Sequence, residues 1–133
     1  MSLIEFQDYP STETPLNAEN LNYNFSHIIE SGSNDNGSYV KYSEGTLICY
    51  GVSTITSANP NTTTDKVVNL PYYFINTNYR VSFQKLNSGS YWADINEQVT
   101  NKTNNSFTIA CWNSASQSSG VINHEYIAIG KWK

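Results

Sequence analysis

The last nine residues, Glu125-Tyr126-Ile127-Ala128-Ile129-Gly130-Lys131-Trp132-Lys133, read as a strand with apolar side chains on both faces. Successive strand residues point to opposite sides, so Tyr126, Ala128 and Trp132 share one face and Ile127 and Ile129 the other. The run Leu47-Ile48-Cys49-Tyr50-Gly51-Val52 repeats the pattern, with Leu47 and Cys49 opposite Ile48, Tyr50 and Val52. A sheet layer in a small all-β domain has one inner face to bury. Two such strands therefore call for a further layer or a further subunit on the second face, and oligomerisation is predicted.

At 133 residues the chain has room for one domain and a short appendage, with a core that needs no disulfide staple. Only 14% of residues are charged, and Asn, Ser and Thr fill the polar positions. Ten Tyr and three Trp among them suit a recognition surface, where rigid aromatics give contact area and short polar groups give hydrogen bonds. The same residue types are favoured in strands and turns, so composition leaves both readings open. A net charge of -4 offers no footprint for phosphate backbones and argues against nucleic acid as a partner. The opening Met1-Ser2-Leu3-Ile4-Glu5-Phe6 lacks the basic start and apolar run of a secretory signal, and no stretch approaches membrane-spanning length. Synthesis in the cytoplasm without a signal peptide, and no membrane insertion, are the expectation. Cys49 and Cys111 lie in strand-like runs, the usual home of buried thiols, and without an export signal they are expected to stay reduced; a bridge between neighbouring strands is the alternative.

Residues 1–35 differ from the rest. Pro10 and Ser11-Thr12-Glu13-Thr14 form an extended arm, and Thr14-Pro15 offers a helix start. Ala18, Leu21, Phe25 and Ile28 follow at seam spacing, predicting a helix within about 15–30 that Ser31-Gly32-Ser33 ends. So short a helix must dock, either on its own domain or on copies of itself. After the turn cluster Asn34-Asp35-Asn36-Gly37, period-two runs predict strands at about 38–44, 46–54, 65–70, 78–86, 90–95, 105–113 and 124–132. Gly45 marks a hairpin turn, and Ser53 to Thr64 reads as the longest structureless loop. The fold class is all-β, an antiparallel β-sandwich over residues 36–133 preceded by a short N-terminal helix.

Catalytic constellations are missing: no nucleophile elbow, phosphate-cradling loop or Cys/His array at zinc spacing occurs. Asn34-Asp35-Asn36-Gly37 lacks the acidic ligands of a calcium loop. Asp94 and Glu97, near Trp92, could imitate a glycosidase's carboxylate pair. Three residues apart at a strand end, they read instead as turn and solvent-facing groups. No enzyme, cofactor or metal site is predicted. Sugar recognition needs an aromatic plate beside carboxylate or amide groups. Tyr91-Trp92-Ala93-Asp94, Trp112-Asn113 and Asn123-His124-Glu125-Tyr126 have those parts. Trp112 and Tyr126 read as core or interface and Trp132 as structural, which leaves Tyr91, Trp92, Asp94, Asn113, His124 and Glu125 as the candidate ligand-binding residues.

Four segments together carry a resemblance: Asn36-Gly37-Ser38-Tyr39-Val40-Lys41-Tyr42, Gly45-Thr46-Leu47-Ile48-Cys49-Tyr50-Gly51, Val68-Asn69-Leu70-Pro71-Tyr72-Tyr73-Phe74 and Ala128-Ile129-Gly130-Lys131-Trp132. In order and spacing they resemble the C-terminal tip domain of bacteriophage tail fibres of the gp53-like family, which is similar in fold to H-type lectins. The opening segment through Asn22 also looks like the start of phage structural proteins. The chain departs from the family in its short length and in Cys49-Tyr50, where the family often has a polar residue and Trp. The resemblance implies an H-type-lectin-like sandwich, a homotrimer, a place in the virion, and binding of bacterial cell-surface glycan by a non-enzymatic receptor-binding module. Residues 1–35 would then attach to other virion proteins or help trimerise, and the trimer interface would draw on Ile48, Tyr50, Ile127, Ile129 and the Leu21/Phe25/Ile28 stripe. The alternative is a structural virion component, such as a head fibre or fibre-assembly subunit, without glycan binding.

Overall fold

A computed structural model of the chain describes residues 27–58, 61–86, 95–113 and 120–133. Among them are eight strands: β1 (Ile28–Asn34), β2 (Gly37–Tyr42), β3 (Thr46–Ala58), β4 (Thr62–Asn69), β5 (Arg80–Leu86), β6 (Ile95–Thr100), β7 (Ser106–Asn113) and β8 (Gly120–Lys131). They form two antiparallel sheets, one of five strands in the order β1-β2-β3-β8-β5 and one of three in the order β4-β7-β6.

Side-chain parity decides which face each residue takes. Leu47, Cys49 and Ile55 of β3 and Ile122, Tyr126 and Ala128 of β8 point inward from the larger sheet, and Val68 of β4 with Phe107, Ile109 and Cys111 of β7 meet them from the smaller one. The two long strands have apolar residues on both sides, as the sequence required. The second sheet covers one side only. Both cysteines are free and buried.

The strand pattern departs from expectation in four places. Residues 15–26 of the expected helix lie outside the described residues, but Ile28–Glu30 begin a strand, and the Ser31-Gly32-Ser33 segment continues it. Pairing with β2 provides backbone partners that a local helical pattern does not reveal: Gly32 lies opposite Tyr39, and a Cβ there would stand 2.9 Å from the Tyr39 hydroxyl. The sheet therefore includes residues on the N-terminal side of position 36. Ser53–Thr64 is mostly strand, because β3 runs to Ala58 and β4 starts at Thr62; its threonines are strand formers that the Asn and Pro around them masked. The strand expected at 90–95 lies, except for Ile95, outside the described residues, and β6 follows it instead. β6 is an edge strand with a mostly polar sequence, Ile-Asn-Glu-Gln-Val-Thr, which weakens the alternation signal. Finally, Glu97 does not face solvent; its carboxylate turns into the space between the sheets.

Turns behave as read. Asp35 and Asn36 close the β1–β2 hairpin, with Asn34 Oδ1 accepting from the Asn36 backbone N–H at 2.9 Å. Gly37 and Gly45 take φ of 131° and 100°, a region glycine enters without a Cβ penalty. At the Gly45 end of the sandwich the chain is closely knit. Trp132 donates its backbone N–H to the Gly45 carbonyl at 3.0 Å and its indole N–H to the Tyr42 carbonyl at 2.9 Å. Lys41, 7% exposed, binds the Glu30 carboxylate at 2.8 Å and the Tyr72 hydroxyl at 3.1 Å, and its ammonium lies over the Tyr72 and Trp132 rings. The hydrogen bond from Lys41, then that from Tyr39, hold the Glu30 carboxyl below its ordinary range. This cluster fastens β1 to the sheet.

Candidate functional site

Strand connectivity gives the sandwich two unlike poles. At one, Ala58 lies opposite Gly120, Leu86 opposite Asn123, and Thr62 and Ile95 both lie opposite Asn113. Of the four connections that cross between the sheets, β3–β4, β5–β6 and β7–β8 link strand ends at this pole, and β4–β5 links them at the other. The opposite pole carries the β2–β3 turn, the end of β8 and the start of the described chain, where the Ser43 N–H donates to the His27 carbonyl at 2.9 Å.

The residues proposed from sequence distribute unevenly over this frame. Tyr91, Trp92 and Asp94 lie outside the described residues, in the β5–β6 connection that joins Leu86 to Ile95. Asn113 ends β7 at the crossing pole, opposite Ile95. Glu125 is exposed on the outer face of the five-stranded sheet. His124 is fully buried, its ring edge against Phe83 with centroids 5.6 Å apart. Trp112 is 42% exposed on the outer face of the smaller sheet, whereas Tyr126 is core and donates its hydroxyl to the Asn36 carbonyl at 3.0 Å.

The outer face of the five-stranded sheet is unusually apolar. Register places Val40, Ile48 and Ile129 in one row, and Tyr50 and Ile127 in the next. Tyr50, Val52, Ile127 and Ile129 are 46, 72, 50 and 48% exposed. A contiguous exposed apolar patch of this kind marks an interaction surface more often than it marks chance. Beside it runs a groove of about 480 Å³ lined by Tyr50, Val52, Ser82, Gln84, Glu125 and Ile127. Gln84 of β5 and Glu125 of β8 thus set an amide and a carboxylate beside the patch, in which Tyr50 of β3 supplies the aromatic ring.

Sequence reading missed a second polar feature, this one inside. Glu97 Oε1 lies 2.6 Å from His124 Nε2 and accepts from the Cys111 thiol at 3.2 Å. Glu97 and Cys111 are paired across β6 and β7, and His124 reaches them from the other sheet. Burial first, then the hydrogen bond to Glu97, pushes the Cys111 thiol up to about 12; burial pushes Cys49 up to about 11. A signal for this cluster was present in the parity of β8, because His124 alternates in step with Ile122, Tyr126 and Ala128.

Comparison with known proteins fits this architecture. Residues 41–131, more than half of the chain, match the family described as tail fiber protein gp53-like, C-terminal. The chain belongs to the gp53-like tail-fibre family. Its fold is similar to that of an N-truncated R1-type pyocin tail fibre, with a TM-score of 0.63 and 13% identity over 86% of this chain and 96% of that one. It is similar also to the P. aeruginosa R1 pyocin fibre comprising residues 323-701 (TM-score 0.59, 12% identity, 86% of this chain and 31% of that one). An N-truncated R2-type pyocin tail fibre matches at a TM-score of 0.56 and 12% identity, over 88% of this chain and 44% of that one. No protein with a curated description matches the sequence. Membership in this family makes the chain a tail-fibre C-terminal domain.

Proposed function

We propose that this gp53-like domain is a non-enzymatic receptor-binding module at a fibre tip, trimeric through the outer face of the five-stranded sheet, that recognises carbohydrate on the bacterial surface. The observation that carries this reading is the opposition of the two poles. The N-terminal segment enters beside the β2–β3 turn, where it can join other virion proteins, while three of the four sheet-crossing connections join strand ends at the far end. The β5–β6 connection runs from Leu86 to Ile95, which lies opposite Asn113; on this reading Tyr91, Trp92, Asp94 and Asn113 take the recognition role, with the aromatic residues stacking on a sugar ring and the carboxylate and amide meeting its hydroxyls. Glu125, beside Ser82 and Gln84 at the rim of the apolar patch, contributes where two subunits meet. His124, expected from sequence to contact the ligand, is fully buried and takes no part in this contact.

Binding of the full chain to whole bacteria and to purified cell-wall glycan tests the reading. Trp92→Ala should weaken binding by roughly 1–3 kcal/mol, the scale of a lost aromatic contact, and leave the oligomeric state unchanged. Removing residues 1–26, which spares β1, should abolish incorporation into particles and leave cell binding intact. A full chain that binds no bacterial surface would instead be a structural component of the virion.

A further inference from the structure

The interior cluster beneath the crossing pole goes beyond receptor binding. We propose that Glu97, Cys111 and His124 form a binding site for a borderline-soft divalent metal of the zinc class, joining the two sheets at the pole where β3–β4, β5–β6 and β7–β8 cross between them.

The three ligand atoms, a carboxylate oxygen, a thiol sulfur and an imidazole nitrogen, all lie within 4.8 Å of one another. Tetrahedral zinc bound by such atoms holds them about 3.3–3.7 Å apart, given metal–ligand bonds of roughly 2.0–2.3 Å. The Glu97 contacts at 2.6 and 3.2 Å are shorter than that and the Cys111–His124 separation, up to 4.8 Å, is longer, so shifts of about 1 Å that draw Glu97 back and bring the thiol and the imidazole together admit the ion. Glu97 is the ligand best placed to yield, since β6 is an edge strand, and its side chain is 9% exposed where those of β7 and β8 are sealed. Oxygen, sulfur and nitrogen donors together favour zinc or cobalt over calcium or magnesium, which take oxygen alone.

A second observation points the same way. His124 Nδ1 and Ser53 Oγ are both buried and have no hydrogen-bond partner. Ser53 and His124 lie opposite each other across β3 and β8 and both face inward, so their side chains are neighbours. With Nε2–H given to Glu97, Nδ1 keeps an unused lone pair and the serine hydroxyl has no role. Metal binding at Nε2 resolves both. The ring proton moves to Nδ1, where Ser53 Oγ is the acceptor at hand, the outer-shell support that metal-bound histidines commonly have. The Cys111 S–H bond is replaced by a sulfur–metal bond, and its proton leaves to solvent. One proton is released per ion, and no redox change is involved.

The ligands come from β6, β7 and β8, so the bound ion would tie the three-stranded sheet to the five-stranded one two residues below Ile95 and Asn113. Its role would be to fix the crossing pole, whatever that pole recognises.

Titration of the reduced full chain with cobalt(II) tests the site. The expected result is a thiolate-to-cobalt charge-transfer absorption with tetrahedral visible bands, saturating at one ion per chain and displaced by zinc. Cys111→Ser should remove the charge-transfer band, and Cys49→Ser should leave it unchanged, because Cys49 instead faces the Tyr72 carbonyl at 3.8 Å. Saturating zinc should raise the melting temperature of the native chain and not that of Glu97→Gln. A folded native chain that shows no charge-transfer band at millimolar cobalt, or a band that survives Cys111→Ser, overturns the proposal and leaves the cluster a hydrogen-bonded triad only.

Discussion

Ile127→Asp separates an outer face that meets water from one that meets a second subunit. In the single chain Ile127 is 50% exposed and lies between Tyr50 on β3 and Ser82 on β5. Full burial of an isoleucine contributes roughly 1.5–3 kcal/mol, so covering its exposed half in an assembly contributes about 1 kcal/mol. Ile127→Thr, which keeps a β-branched strand former, should lose that amount and weaken the assembly modestly. Aspartate at the same place leaves an unpaired charge inside the contact, at about 3–5 kcal/mol per chain, or roughly three decades in association constant. The isolated fold should barely notice, because in one chain the carboxylate reaches water directly. Sedimentation at micromolar concentration should therefore find a trimer for the native chain and for Ile127→Thr, and a folded monomer for Ile127→Asp, with unchanged far-ultraviolet circular dichroism. A native chain that is monomeric under these conditions, or an Ile127→Asp variant that stays trimeric, would refute the assignment of this face.

Other outcomes follow from the core and the thiols. Gly130→Ala should destabilise the fold by about 1–3 kcal/mol in denaturant titration, because its Cβ would meet Tyr79 Cβ at 2.6 Å and Phe74 Cδ1 at 2.9 Å in a stacked pair. Tyr126→Phe should lose about 0.5–1.5 kcal/mol by the same measurement, since it removes the hydroxyl that donates to the Asn36 carbonyl while keeping the ring packed on Phe107. Folded Cys49 and Cys111 should resist thiol reagents at pH 8, reacting only after unfolding. Stability should also fall at alkaline pH: with Cys49 raised from 9.0 to about 11, the unfolded chain loses its proton first, so the contribution is complete below about pH 9 and declines as pH rises through 11. A stability curve that is flat across that window would contradict the burial of this thiol.

Parity explains how much of this was legible in advance. Leu47 and Cys49 against Ile48 and Tyr50, and Tyr126 and Ala128 against Ile127 and Ile129, take the faces that alternation assigned, because a strand's period of two leaves no other choice once one face meets a core. The turns at Asn34–Gly37 and Gly45 were equally legible, since their backbone demands special residues. The same parity placed His124 inside, but reading it as a polar residue near a strand end concealed that. β1 and β6 were missed for a different reason. Their residues are mostly polar, and what makes them strands is the neighbour each one pairs with, Tyr39 opposite Gly32 and Cys111 opposite Glu97, which lies far away or unmarked in the sequence.

By itself the sequence determined an all-β domain whose long strands need cover on both faces, a surface poor in charge, and turns at the positions its Asn and Gly residues mark. These follow from local rules, the alternation of side chains and the conformational range of single residues. Only the tertiary structure decided which strands become neighbours. That choice set three of the four sheet-crossing connections at one pole and the N-terminal side at the other, brought Glu97, Cys111 and His124 within 4.8 Å of one another, and left Tyr50, Ile127 and Ile129 on an uncovered face. Non-local pairing is settled by the packing of whole sheets, and no short segment contains it.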